Sequence, residues 1–125
     1  MTAGRRVAIE SNVHEYSLVS ALIDRVAQEA AARGAKRVVR VHVKLGELSG
    51  VERELFATAY ATFRERTVCE GAPMELEPVA AAWSCRACGN TVSGALRCKR
   101  CDVPATLVAG DEIVLSRIEM EVPDV

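Results

Sequence analysis

Cys85-Arg86-Ala87-Cys88 and, nine residues further on, Cys98-Lys99-Arg100-Cys101 give this 125-residue chain two Cys-x-x-Cys pairs. Each pair fits a tight turn that aims two sulfurs at one centre. Two such turns close a tetrahedron of thiolates, the coordination that structural Zn²⁺ takes. Four sulfur ligands leave no position open for water or substrate, so the expected site is structural rather than catalytic. Gly89, directly after the first pair, suits the tight backbone of a metal knuckle. Two disulfides or a dithiol redox centre are the competing readings. Redox motifs usually come singly beside a βαβ unit, and no secretory context is visible, so zinc is the expectation.

Outside these turns the composition is that of an ordinary soluble globular protein, 50% apolar and 26% charged. The formal net charge of −1 gives no long-range pull toward nucleic acid or anionic lipid. Arg86, Arg97, Lys99 and Arg100 crowd the cysteine unit, opposed by Asp102. A four-thiolate zinc centre carries two negative charges, so that patch nets only about +1, a poor grip on a polyanion. No apolar run approaches the roughly 18 residues that span a bilayer. No leader-peptide pattern opens the chain, and a cytoplasmic protein with reduced thiols is expected.

Along the chain, residues 1–12 read as a disordered tail or as a mis-assigned start. From Ser17 on, Leu18, Leu22, Val26 and Ala30 recur every four residues with Val19, Ile23 and Ala27 beside them. That double row is an amphipathic helix, with Gly34 where its C-terminal cap belongs. Val39, Val41, Val43 and Leu45 alternate with Arg40, His42 and Lys44 as a half-buried strand does. After the break at 46–50, Leu55, Phe56, Ala59, Tyr60 and Phe63 form a second helical stripe, with Glu52 and Glu54 near its start. Met74, Leu76 and Pro78 suggest a second strand, which the proline places at a sheet edge. A last strand follows from Val114 to Val122. No internal repeat or low-complexity linker is evident. The expected architecture is α+β, two helices packed on a three-stranded sheet with an inserted four-cysteine zinc-ribbon lobe. Its α+β domain comprises 13–82 and 104–125, and its zinc lobe 83–103.

An ordered set of motifs goes further. Val13-His14-Glu15-Tyr16-Ser17-Leu18-Val19 leads into the first helix, followed by Leu45-Gly46-Glu47, Thr62-Phe63-Arg64-Glu65, the two cysteine pairs and Gly110-Asp111-Glu112. This set, covering 13–125, resembles the HypA/HybF family of nickel metallochaperones for nickel–iron hydrogenase maturation. Members of that family begin Met-His-Glu. The resemblance implies a nickel site built from the α-amine, nearby backbone amides and the histidine imidazole, a nitrogen set that square-planar Ni²⁺ accepts. On this chain it makes His14 the nickel imidazole, Glu15 the adjacent acid and Glu52 a further acid at the nickel site. It also implies Ni²⁺ as cargo, a GTPase partner of the HypB kind and the hydrogenase large-subunit precursor as acceptor. Urease maturation and a homodimer stand as further readings.

The family's initiator methionine is Val13 here, with twelve residues before it. A GTG start codon at Val13 would be read as methionine and would restore the N-terminal chelate.

Each of these residues also has an ordinary reading. A lone histidine near a helix start is more often a surface residue than a ligand. Asn12-x-x-Glu15 reads as a capping box. His42 reads as a solvated strand residue, Cys69 as a small buried hydrophobe, and Trp83 as packing for the zinc unit. The alternative function is a zinc-ribbon module that binds nucleic acid or transcription machinery. It is opposed by the near-neutral charge and by only four aromatics besides Trp83. Nothing in the chain resembles a catalytic constellation or a phosphate-cradling glycine loop, so an enzyme is not expected.

Overall fold

A computed structural model describes residues 3–93 and 96–123, with side chains from Glu15 onward. The elements run α1 (Ala3–Ala32), β1 (Arg37–Gly46), α2 (Arg53–Phe63), β2 (Met74–Val79), β3 (Ala82–Cys85), β4 (Thr91–Val92), β5 (Ala105–Ala109) and β6 (Ile113–Glu121). One three-stranded sheet has the order β2-β1-β6, and a second the order β4-β3-β5. The class is α+β, as expected, and β2, with its Pro78, lies at a sheet edge. The main chain divides into two compact units, Met1–Val43 with Val51–Leu76 and Leu115–Val125, and Lys44–Gly50 with Glu77–Val114.

In the first unit α1 buries Glu15, Val19, Leu22, Ile23, Val26 and Ala30 along one stripe. The helix continues back to Ala3, through residues expected to form a tail without regular structure. Asn12 therefore lies inside it, and the capping-box reading of Asn12 and Glu15 is corrected. The other end follows expectation. Gly34 N–H donates to Ala31 O at 3.2 Å and Ala35 N–H to Ala30 O at 2.9 Å, the paired bonds of a Schellman cap. Helix α2 packs against α1 with Phe56, Ala59 and Tyr60 buried. Leu55 and Phe63, expected in the same stripe, stay more than a third exposed, and Phe63 meets the Tyr16 ring at 4.8 Å between centroids.

The main sheet is mixed. Val41 N–H donates to Pro73 O and, six residues on, Glu47 N–H donates to Val79 O, so β2 advances in parallel with β1 and α2 is the crossover between them. Lys36 N–H to Glu121 O and Gly46 N–H to Glu112 O run in opposite senses, so β6 is antiparallel to β1. β1 buries Val41, Val43 and Leu45 on one face and turns Arg40, His42 and Lys44 to the other, where Val38 is also buried.

In the second unit β3 pairs antiparallel with both neighbours, Trp83 opposite Val92 and Ser84 opposite Thr106. Sequence reading assigned no strand to Ala105–Ala109, where half-buried Ala105, Leu107 and Ala109 alternate with exposed Thr106 and Val108. Two glycines bring main chains together here. A Cβ on Gly110, at φ +96°, would lie 2.6 Å from Ala81 Cα, and one on Gly46 would press into the carbonyl of Gly110 and reach 2.9 Å from Glu112 O. Only glycine fits either place.

Candidate metal centre

The two Cys-x-x-Cys turns are built alike. Gly89 N–H donates to Cys85 O at 2.7 Å and Cys85 N–H to Asn90 O at 2.9 Å, closing the first knuckle. Asp102 N–H donates to Cys98 O at 2.8 Å and Cys98 N–H to Val103 O at 2.9 Å, closing the second in the same pattern. The fourth residue after each leading cysteine takes positive φ, +76° at Gly89 and +52° at Asp102. Glycine is at ease there, and aspartate is among the few side chains that tolerate it. This is a local repeat that sequence reading missed, because the residues filling equivalent places differ in chemistry.

The knuckles bring Cys85, Cys88, Cys98 and Cys101 together, with all four sulfurs within 4.8 Å of one another. Cys88 Sγ and Cys98 Sγ are 3.9 Å apart, far outside the roughly 2.05 Å of a disulfide. Four sulfurs at about 2.3 Å from a central zinc would be about 3.8 Å from each other, so the cluster fits that ion. Main-chain N–H groups of Cys88 and Ala87 hold the Cys85 thiol down to about 7. Hydrogen bonding to the Cys88 sulfur, with burial and the other thiols, pushes Cys101 up to about 12. Four thiolates in one small volume repel, and a divalent cation at their centre removes that penalty. Trp83, Val103 and Ala105 pack against the buried group Cys85, Val92 and Cys98.

Elsewhere the acidic candidates converge. Glu15, only 2% exposed, accepts through Oε2 from the main-chain N–H of Glu52 at 2.9 Å. Its Oε1 is buried with no hydrogen-bond partner among the described residues. Glu52 is the N-cap of α2, its Oε2 accepting from Leu55 N–H at 2.7 Å. His14 lies on α1 in the turn beside Glu15, and its side chain is outside the described residues. The buried position of Glu15 had a signal in the sequence, since it falls four residues before Val19 on the same helical stripe.

His42 is not a free solvated residue. Its Nε2 lies 2.5 Å from Glu119 Oε2, with Arg117 Nη2 at 3.5 Å from the same oxygen. Hydrogen bonding to His42 is the main reason that the Glu119 carboxyl is held below its ordinary value. Cys69 is fully buried, and burial pushes its thiol up, in keeping with a packing role. Among the described residues, no helix is long and apolar enough to cross a membrane.

Residues 13–120 match the family described as hydrogenase/urease nickel incorporation, metallochaperone, HypA. The hydrogenase maturation factor HypA of Shewanella sp. (strain MR-7) is 39% identical over 116 residues, spanning 90% of this chain and 98% of that protein. That of Wolinella succinogenes is 36% identical over 119 residues, again 90% of this chain and 98% of the relative. Among solved structures, the nickel metallochaperone HypA from Helicobacter pylori superposes with a TM-score of 0.70 at 30% identity, covering 87% of this chain and 98% of its own. A second HypA solution structure gives 0.73 at 32% identity, over 86% and 96% of the two chains. These likenesses favour metal delivery over the nucleic-acid-binding alternative. By sequence and by fold alike, the chain belongs to the HypA family of hydrogenase and urease nickel-incorporation metallochaperones.

Proposed function

We propose that this chain is a nickel metallochaperone of hydrogenase maturation that carries Ni²⁺ at His14 and keeps Zn²⁺ on Cys85, Cys88, Cys98 and Cys101. The family match over residues 13–120 carries the proposal. The protein is not an enzyme; its task is to bind a metal and release it by ligand exchange. A closed shell of four thiolates suits the ion that stays, since soft sulfur ligands hold zinc tightly and leave no entry point. An imidazole with few other protein ligands suits an ion that must leave, because a small donor set gives moderate affinity.

Glu15 and Glu52 act together in this reading. Glu15 has one oxygen, Oε1, with no hydrogen-bond partner among the described residues, while its other oxygen is anchored on the start of α2. The anchor is the main-chain N–H of Glu52, so it ties the start of α2 to Glu15, thirty-seven residues earlier, without using the Glu52 carboxylate. An amide chelate at residues 13–15 needs a free amine beside His14, so it belongs to a form of the protein that begins at Val13. In a chain carrying residues 1–12, imidazole and carboxylate are the donors. The partners that fit are a HypB-type GTPase and the hydrogenase large-subunit precursor, in the cytoplasm, where free thiols persist. Urease maturation is a further acceptor route.

Nickel titration of both forms by calorimetry and absorption tests this reading, with zinc measured in parallel. One nickel per chain, lost in His14→Ala while zinc stays at one per chain, is the expected result. Unchanged nickel binding in His14→Ala would overturn the site.

A further inference from the structure

The two knuckles carry an internal control. Each faces the short segment that leaves the other one, and a groove lies at each junction. The first groove, about 320 Å³, is lined by Asn90, Thr91, Val92 and Ser93 on one side and by Arg97, Cys98, Lys99 and Arg100 on the other. The second, about 490 Å³, is lined by Arg86, Ala87, Val103, Pro104, Ala105 and Thr106. Counting thirteen positions on from the first knuckle to the second relates Arg86 to Lys99, Ala87 to Arg100 and Asn90–Ser93 to Val103–Thr106. The scaffold is thus presented twice with different side chains. In one copy the knuckle offers a single cation against valine, proline and alanine. In the other, Lys99 and Arg100 stand with Arg97 opposite an amide and two hydroxyls.

Folding does not demand the cations, because the second groove forms with one. Nor are they used internally. Only Arg97 is engaged, Nη2 donating to Asp102 O at 2.7 Å, while Lys99 and Arg100 have no ion-pair partner among the described residues. Among the described residues no carboxylate lines the first groove, so three cations face it although the cysteine unit as a whole nets only about +1.

We propose that the groove between Asn90–Ser93 and Arg97–Arg100 binds an extended, carboxylate-rich segment of a protein partner. Lys99 and Arg100 pair with its acidic side chains, and Asn90, Thr91 and Ser93 offer hydrogen bonds along the opposite wall. Nucleic acid is the poorer fit. The one aromatic of this unit, Trp83, is packed on the cysteine core and offers no stacking platform. Nickel plays no part in this contact, since the groove is lined from the zinc knuckles alone.

A fluorescently labelled hexaglutamate peptide, titrated with the full metal-loaded chain at low salt, tests it by anisotropy. Saturable binding that falls at least tenfold in the Lys99→Glu/Arg100→Glu double variant and is kept in Arg86→Glu is expected. The milder Lys99→Gln/Arg100→Gln pair, checked for one zinc per chain, serves if charge reversal disturbs the metal. Failure of hexaglutamate to bind, or binding that ignores both double variants, would overturn the proposal. So would an equally charged oligothymidylate that binds as tightly through the same residues, since the partner would then be a nucleic acid.

Discussion

Glu15 Oε2 accepts the main-chain N–H of Glu52 at 2.9 Å, which ties the middle of α1 to the residue that caps α2. The two acids meet as side chain and backbone rather than as two carboxylates over one ion. Glu15→Ala strands the Glu52 N–H in a part-buried place, a loss of about 1–3 kcal/mol. Glu15→Gln keeps an acceptor and loses less. Urea unfolding distinguishes them, and equal stability of wild type and Glu15→Ala would show that the bond contributes nothing.

Glu52→Ala removes the acceptor of Leu55 N–H and leaves the start of α2 uncapped. The cost is about 1 kcal/mol, within the range for lost N-caps. Glu52→Asp or Glu52→Ser restores most of it, which separates capping from any need for a glutamate.

Gly46→Ala and Gly110→Ala each drive a Cβ into main chain that cannot turn away, and Gly110→Ala is strained by its φ of +96° as well. Each is expected to destabilise the protein by about 3 kcal/mol or more, above the usual range for a single added methyl. Gly50→Ala is the control for steric crowding, since nothing lies within 4 Å of its added Cβ. Thermal melts of the three variants read the difference directly.

Cys85→Ser removes one of the four clustered sulfurs. Zinc content should fall from one to well below one per chain, with loss of dispersed amide signals from the second unit while α1 and α2 keep their helical signal. Dialysis of the wild type against a strong chelator should give the same spectrum. Retention of a native second unit without metal would contradict a structural role.

His42 and Glu119 predict an acid-side signature. Because Glu119 is held below its ordinary value, its contribution is fully present above that value of 4.5 and vanishes as pH falls through the lowered one. The stability gap between wild type and Glu119→Gln should therefore close as pH falls below 4.5. A gap that persists at pH 2 would assign the effect to packing.

Legibility in the sequence followed the range of the interactions. The cysteine pairs, the Gly34 cap and the α1 stripe are local, set by spacings of three or four residues, and all were readable. Residues linked only by strand register were not. His42 and Glu119 are seventy-seven positions apart, and nothing in either neighbourhood names the other. Glu15 escaped for a different reason. Its place on the apolar stripe indicated burial, while its chemistry indicated exposure, and only its bond to Glu52 N–H reconciles them. β5 was hidden because the apolar Leu107 and Val108 fall on opposite faces, so its alternation in burial is not one of hydrophobicity.

The duplicated knuckle bears on how such a lobe can change over time. Where four bonds to an ion hold a small structure in shape, few side chains are required for a hydrophobic interior. The remaining positions can change without unfolding anything, so the outer surface of such a module is free to diverge. Two faces that began with the same backbone can come to touch different molecules, and a single lobe can thereby stand between two neighbours at once.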